Sequence, residues 1–203
     1  MKSNDFDNLA FVYDKLARLV FGKSIVQSQQ FFLHRIPDRS RVLILGGGSG
    51  WILEKLLEAR PTVEVCYIEA SQNMISLAQD RIQNDTRIQF INGTENEIPN
   101  RAFDVIIANF YLDLFEDQSL KPVLQKMKSS LAPNGEWLIT DFVDRTWWHR
   151  TMLKIMYLFF KATTKIEAGK LPDWSAAVVG IGGIKTDSKS FYGDFIEATV
   201  FQF

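Results

Sequence analysis

The chain has 1 cysteine, Cys66, so no intrachain disulfide can staple it, and that usage fits a reducing cytoplasm. It has 2 histidines, His34 and His149. No His, Cys or carboxylate set stands at metal-ligand spacing, so no metal is expected. Surplus charge is missing too: Lys+Arg 23 against Asp+Glu 24 gives a net charge of -1. Such a chain has no global positive field to draw it onto nucleic acid. No apolar run approaches the ~18 residues of a spanning helix, and Met1-Lys2-Ser3-Asn4-Asp5 opens into no signal-peptide core. There is no internal repeat, low-complexity stretch or linker. What is there is an ordinary globular balance, 46% hydrophobic and 23% charged, with 16 phenylalanines. At roughly 100–200 residues per domain, 203 residues favour a single one.

Strand-like and helix-like runs alternate through the first two thirds. The strand-like runs are 41–45, 63–68, 87–91, 103–108 and 135–140, short, β-branched and bounded by Gly, Pro, Asn or Asp. Between them, Trp51 to Ala59 and Asp117 to Leu131 read as helices, and Ser71 to Ile82 as a third with Ser71 as its N-cap. Residues 92–102 read as a loop with at most a short turn. Alternation of this kind argues a parallel sheet with helices on both faces. Two further runs, Ile184 to Phe191 and Phe195 to Phe203, flank Tyr192-Gly193-Asp194 and read as a terminal antiparallel hairpin. The expected fold is therefore α/β: a Rossmann-like, mainly parallel seven-stranded sheet closed by a C-terminal β-hairpin. One domain spans 1–203, with a helical cap over 1–40, a ligand-binding core over 41–142 and an acceptor-side helix plus hairpin over 143–203.

The most informative stretch is Val42-Leu-Ile-Leu-Gly46-Gly-Gly-Ser-Gly50-Trp-Ile-Leu. A buried strand enters a glycine turn that opens a helix, which is where α/β sheets bind ligands. The dinucleotide spacing G-x-G-x-x-G fails, because Trp51 or Leu53 stands where the third glycine belongs. The phosphate loop G-x-x-x-x-G-K-[ST] fails as well. The spacing that fits is G-x-G-x-G, at Gly46, Gly48 and Gly50.

This segment resembles motif I of the class I S-adenosylmethionine-dependent methyltransferases of small-molecule type. The resemblance continues in register through Tyr67-Ile68-Glu69-Ala70-Ser71-Gln72-Asn73-Met74, Phe90 to Pro99, Phe103 to Asn109, and Leu131-Ala-Pro-Asn-Gly135, covering Arg41 to Phe142. It implies S-adenosylmethionine as cofactor, with Gly46, Gly48 and Gly50 shaping the methionine channel and Glu69 accepting from the ribose hydroxyls. It places Ala70 beside Glu69, packs Met74 on the adenine, sets Thr94 or Glu95 at the adenine amino group and Asn109 near the methionine end. Val12-Tyr13-Asp14-Lys15-Leu16-Ala17 is similar to the start of several of these enzymes, which gives Tyr13 the cofactor carboxylate. Two positions depart from the family: Ile44 and Thr94 stand where many members carry an acid.

The resemblance implies methyl transfer to a small, apolar or aromatic acceptor, an in-line displacement in which the protein contributes mainly alignment and desolvation. A base is required only if the acceptor loses a proton. His149, Asp113 and Asp141 are the candidates, each following a strand on the ligand side. Asn109-Phe110-Tyr111 lacks both prolines of the N-P-P-Y motif of DNA amino methyltransferases. Nucleic acid is therefore not the expected acceptor.

Thr146 to Ile166 reads as a helix whose Arg150, Lys154, Lys161 and Lys165 fall at about 0°, 40°, 20° and 60° around its axis. The rest of its circumference is mostly apolar, wider than a core-facing stripe needs. That width points to core, to a lid over the acceptor, to a second copy in a homodimer or to a peripheral bilayer contact. Two alternatives to the methyltransferase stand beside it: a non-catalytic cofactor-binding or interaction protein, and an NAD(P)-linked oxidoreductase on the same scaffold.

Overall fold

A computed structural model describes residues 20–83, 85–163 and 170–203. The expected Tyr13 contact, and with it residues 1–19 of the 1–40 cap, lies outside the described residues, as does Lys165. Seven strands form one sheet: β1 Arg41–Leu45, β2 Glu64–Glu69, β3 Ile88–Asn92, β4 Phe103–Asn109, β5 Leu131–Phe142, β6 Ile184–Phe191 and β7 Ile196–Gln202. Their order is β3-β2-β1-β4-β5-β7-β6. The pairs among β1 to β5 are parallel, and β7 runs antiparallel to both β5 and β6. The helices are α1 Lys23–Gln30, α2 Trp51–Ala59, α3 Gln72–Arg81, α4 Asp117–Ser129, α5 Trp147–Thr163 and α6 Trp174–Gly180.

Strand β1 is apolar after Arg41 because it is covered on both faces, and Val42 through Leu45 are buried. Odd and even residues then feed two cores. Leu43, Leu45, Ile106, Ala108, Trp137 and Ile139 meet Leu120, Leu124 and Met127 of α4 and Trp174 and Val178 of α6. Val42, Ile44, Val65, Tyr67, Val105 and Ile107 meet Ile52, Leu53 and Leu56 of α2. Each large apolar side chain buried in this way contributes about 1.5–3 kcal/mol. Ile44, the departure from the family's acid, is thus a core residue.

Ser71 caps α3 as expected, its hydroxyl accepting from the Met74 N–H at 3.2 Å. The terminal hairpin also holds. Its turn residues Tyr192, Gly193 and Asp194 all have positive φ, 52°, 60° and 65°.

The structure departs from the expected elements in two places. Strand β5 begins at Leu131, where α4 was expected to continue. Leu131 pairs with Phe103, the register shifts between Phe103 and Val105, and Pro133-Asn134-Gly135 sits within the strand as the irregularity. The second departure is α6, which the sequence reading did not include. Asp173 accepts from the Ala176 N–H at 3.0 Å to start it, and Trp174 fixes it by donating from Nε1 to the Phe142 carbonyl at 2.8 Å. No described helix is long and apolar enough to cross a membrane.

Candidate functional site

Parallel register sets one row of residues across the carboxyl edge of the sheet. Ile68 pairs with Leu45, Leu45 with Ala108, and Ala108 with Ile139. One residue further along lie Glu69, Gly46, Asn109 and Thr140. Sequence separations of tens of residues therefore close into one crevice, and Glu69, Gly46 and Asn109 meet there.

The glycine loop is shaped by what surrounds it. A Cβ on Gly47 would sit 2.2 Å from the Tyr67 ring, and one on Gly50 would sit 2.6 Å from the Ala78 Cβ. A Cβ on Gly46 would meet the Tyr111 ring at 2.6 Å. Gly48 is the exception: its Cβ position has nothing within 4 Å. Three of these glycines let the protein's own parts pack closely, and Gly48 leaves its space open to a ligand.

Glu69, nearly buried at the end of β2, grips the loop. Its Oε2 accepts from the Gly48 N–H and its Oε1 from the Ser71 N–H, each at 2.9 Å. Below the loop, Tyr67 donates its hydroxyl to the Gly48 carbonyl at 2.7 Å. Tyr111, just after β4, lies against Gly46 and donates its hydroxyl to Glu95 Oε2 at 2.8 Å. Burial, then the Glu95 charge, pushes the Tyr111 phenol above its ordinary range, so it stays a donor. Glu95 is thus held at the crevice. Thr94 is occupied differently. Its hydroxyl accepts from the Asn96 N–H and its N–H donates to Glu97 Oε2 in a capping box that starts a short 3-10 turn. Met74 is buried in the first turn of α3, and the Ala70 carbonyl accepts from Asn92 Nδ2 at 2.9 Å. Tyr67 and Tyr111 were not picked out from sequence. The available signal was a phenol at the end of an apolar strand, since a buried Tyr hydroxyl needs a partner.

Beyond the ends of β4 and β5 lies a third apolar cluster. Phe21, Ile25, Phe142, Leu153, Phe195 and Ile196 are buried there, with Phe110, Trp148, Met156, Tyr157 and Tyr192 packed against them. The Phe110 and Phe142 ring centroids are 4.8 Å apart, and those of Phe142 and Phe195 are 5.0 Å apart. Helix α5 supplies Leu153, Met156 and Tyr157 from one face. Trp147, Ile155 and Leu158 on another face are exposed.

The three candidate bases separate. His149 is fully buried, its Nδ1 accepting from the Arg145 N–H at 3.1 Å. Its Nε2 therefore carries the proton and donates to the Gly193 carbonyl at 3.1 Å. The Nε2 bond ties α5 to the hairpin turn, and the Nδ1 bond ties it to the segment that precedes it. Asp113 and Asp141 instead come together. Asp141 Oδ2 accepts from the Leu112 and Asp113 N–H groups at 3.0 and 3.1 Å, and its Oδ1 from the Phe142 N–H at 2.8 Å. Burial pushes the Asp113 carboxyl up to about 7. Burial, and after it the Asp113 charge, pushes Asp141 well above the carboxylate range. Tyr157 faces both acids, and burial followed by their charge raises its phenol. Among the described residues two buried polar atoms near this edge lack a partner, Asn109 Nδ2 and Asp113 Oδ1. No group of three or more metal-ligating side chains gathers among the described residues.

Residues 42–135 match the methyltransferase domain family model. The chain carries a class I S-adenosylmethionine-dependent methyltransferase domain. Over 142 residues it is 27% identical to the malonyl-[acyl-carrier protein] O-methyltransferase of Priestia megaterium, covering 70% of this chain and 51% of that protein. Over 147 residues it is 28% identical to the demethylmenaquinone methyltransferase of Thermotoga maritima, covering 68% of this chain and 60% of that one. The chain thus spans about half the length of the first of these curated relatives. The N-methyltransferase NodS from Bradyrhizobium japonicum, solved with S-adenosylhomocysteine, superposes with a TM-score of 0.65 at 16% identity, over 87% of this chain and 85% of that one. At that identity the likeness shows the fold. This methyltransferase domain holds the glycine loop and the row at the sheet edge.

Proposed function

We propose that the chain transfers a methyl group from S-adenosylmethionine to a small, apolar or aromatic acceptor. The observation that carries the cofactor half is the open space at Gly48 beside the Glu69 carboxylate, in a loop whose other glycines are packed shut. An acidic side chain at the end of the second strand suits ribose hydroxyls. Asn109 Nδ2, buried without a partner among the described residues, suits an oxygen acceptor at the methionine end. Glu95, held by Tyr111, is the acid nearest the adenine side, and the capping box makes Thr94 a loop former. The cofactor supplies an already activated sulfonium methyl, so the chain's own task is to hold, align and exclude water.

The aromatic cluster beyond β4 and β5 supports the acceptor half, because apolar walls with few polar groups bind apolar ligands. The buried lone Cys66 fits residence in the cytoplasm. Calorimetric titration tests the reading: S-adenosylmethionine and S-adenosylhomocysteine bind and NADH does not. A folded chain that binds NADH and neither of the others refutes it.

A further inference from the structure

The acid pair invites an assignment that the fold alone does not make. Asp141 is fixed in place: three backbone N–H groups converge on its two oxygens, one of them the N–H of Asp113 itself, and burial with the Asp113 charge outweighs them and keeps it protonated. Asp113 is placed otherwise. It lies on the short 3-10 turn Leu112–Leu114, its own N–H is given to Asp141, and its Oδ1 is buried with no partner among the described residues. The groups that face Asp113 are Asp141 from β5 and Tyr157 from α5. No described Lys or Arg forms an ion pair with either acid. Two carboxyls this close in a dry site do not both ionise readily. Burial and the Asp113 charge keep the proton on Asp141, so Asp113, whose Oδ1 has no partner among the described residues, is the acid of the pair that loses and regains its proton near neutrality. Tyr157 packs on the aromatic cluster as well as facing the acids, so the pair borders the wall assigned above to the acceptor.

We propose that Asp113 is the proton-accepting base of the methyl transfer, with Asp141 as its positioning residue, and that the acceptor is therefore a hydroxyl compound, a phenol above all. The proposal rests on the methyl-transfer reading and narrows it to an O–H acceptor. In the step, the acceptor's O–H bond breaks and its proton passes to Asp113 Oδ1. The acceptor oxygen bonds to the methyl carbon while the methyl–sulfur bond breaks, its electron pair staying on sulfur, which becomes a neutral thioether. The proton then leaves Asp113 to solvent. An amine that attacks through a free lone pair, or an acceptor already ionised in water, needs no such base. A buried carboxyl whose proton leaves near neutral pH is suited to a weakly acidic hydroxyl.

The test uses the whole chain and a matched series of substituted phenols, anilines and thiophenols. S-Adenosylmethionine affinity, and phenol affinity with S-adenosylhomocysteine bound, are read by calorimetry. Asp113→Asn keeps the shape of the side chain and removes the base. The expected result is unchanged S-adenosylmethionine affinity, phenol affinity within a few-fold of wild type, and a loss of about 100- to 10,000-fold in kcat/KM. The limb of the pH profile that breaks near neutrality in the wild type should vanish. Asp113→Ala, smaller still, should regain rate with added formate if only the base is missing, and it carries the test should the Asn variant fail to fold. Wild-type kcat/KM and pH profile in Asp113→Asn overturn the proposal. So does a chain that binds S-adenosylmethionine and methylates anilines or thiophenols but no phenol. Failure to bind S-adenosylmethionine instead removes the methyl-transfer reading, and this inference with it.

Discussion

Gly48 and Gly50 share the same unusual backbone region and should respond unequally to the same substitution. Their φ angles are +64° and +79°. Placing alanine in the left-handed region costs about 1–2 kcal/mol at either position. For Gly48→Ala that is the whole cost, because the added Cβ meets nothing within 4 Å. For Gly50→Ala the Cβ falls 2.6 Å from the Ala78 Cβ and 2.8 Å from the Ala78 Cα. The second contact is backbone, so α3 must shift away from α2, adding about 1–3 kcal/mol. With roughly 2–4 °C per kcal/mol for a chain of this size, Gly48→Ala should melt about 2–8 °C below wild type and Gly50→Ala about 4–20 °C below. Cofactor affinity should order the variants the other way for a given loss of stability. Gly48→Val, which fills the open space, should fold and abolish S-adenosylmethionine binding. The assays are thermal unfolding followed by circular dichroism, and calorimetric titration. A folded Gly48→Val chain with wild-type affinity would refute the assignment of that space to the cofactor. Equal melting of the two alanine variants would refute the packing argument.

Three further outcomes are expected. Glu69→Gln keeps the shape but puts an amide where two N–H donors converge. Loss of one charge-assisted bond should cost about 1–3 kcal/mol of stability, with S-adenosylmethionine affinity weakened in calorimetry. Asp113 makes stability depend on pH. Its folded-state pKa, about 7, lies above the ordinary carboxyl value, so its contribution is fully present below about pH 4 and is lost as pH rises through 7. Asp113→Asn should therefore gain on the wild type in melting temperature between about pH 4 and pH 8, and a constant difference would contradict the buried proton. Trp147 is 78% exposed, whereas the Trp148 ring centroid lies 4.2 Å from that of His149 and 5.6 Å from that of Phe195. Trp147→Ala should change stability by at most about 0.5 kcal/mol and Trp148→Ala by about 1–3 kcal/mol. If exposed Trp147, Ile155 and Leu158 beside Arg150 and Lys154 meet a bilayer, Trp147→Ala also loses sedimentation with anionic vesicles, and unchanged sedimentation removes that contact.

Local pattern made most of the fold legible in the sequence. Buried strands of β-branched residues, helical spacing of apolar residues between them, the Ser71 cap and a glycine turn of fixed spacing follow from short-range sterics and hydrogen bonding. Helix α2 accordingly runs over the residues its spacing foretold, and Ser71 caps α3. The G-x-G-x-G spacing and the acid at Glu69 marked the crevice for the same reason. Local pattern did not show that Leu131 would leave α4 for β5, since that was decided by its pairing with Phe103 across the sheet. Nor did it show α6, whose short run is fixed by the buried Trp174 and its bond to the Phe142 carbonyl. The roles of polar side chains were decided only by tertiary contact. His149 looked like a base and has both ring nitrogens spent on backbone groups of Arg145 and Gly193. Asp113 and Asp141, 28 residues apart, became one pair because parallel register carries the ends of β4 and β5 to the same edge and burial strips water from both acids. Residue type and spacing fix what a group can do. Which of those things it does depends on its neighbours and on the dielectric around it, and long-range packing supplies both.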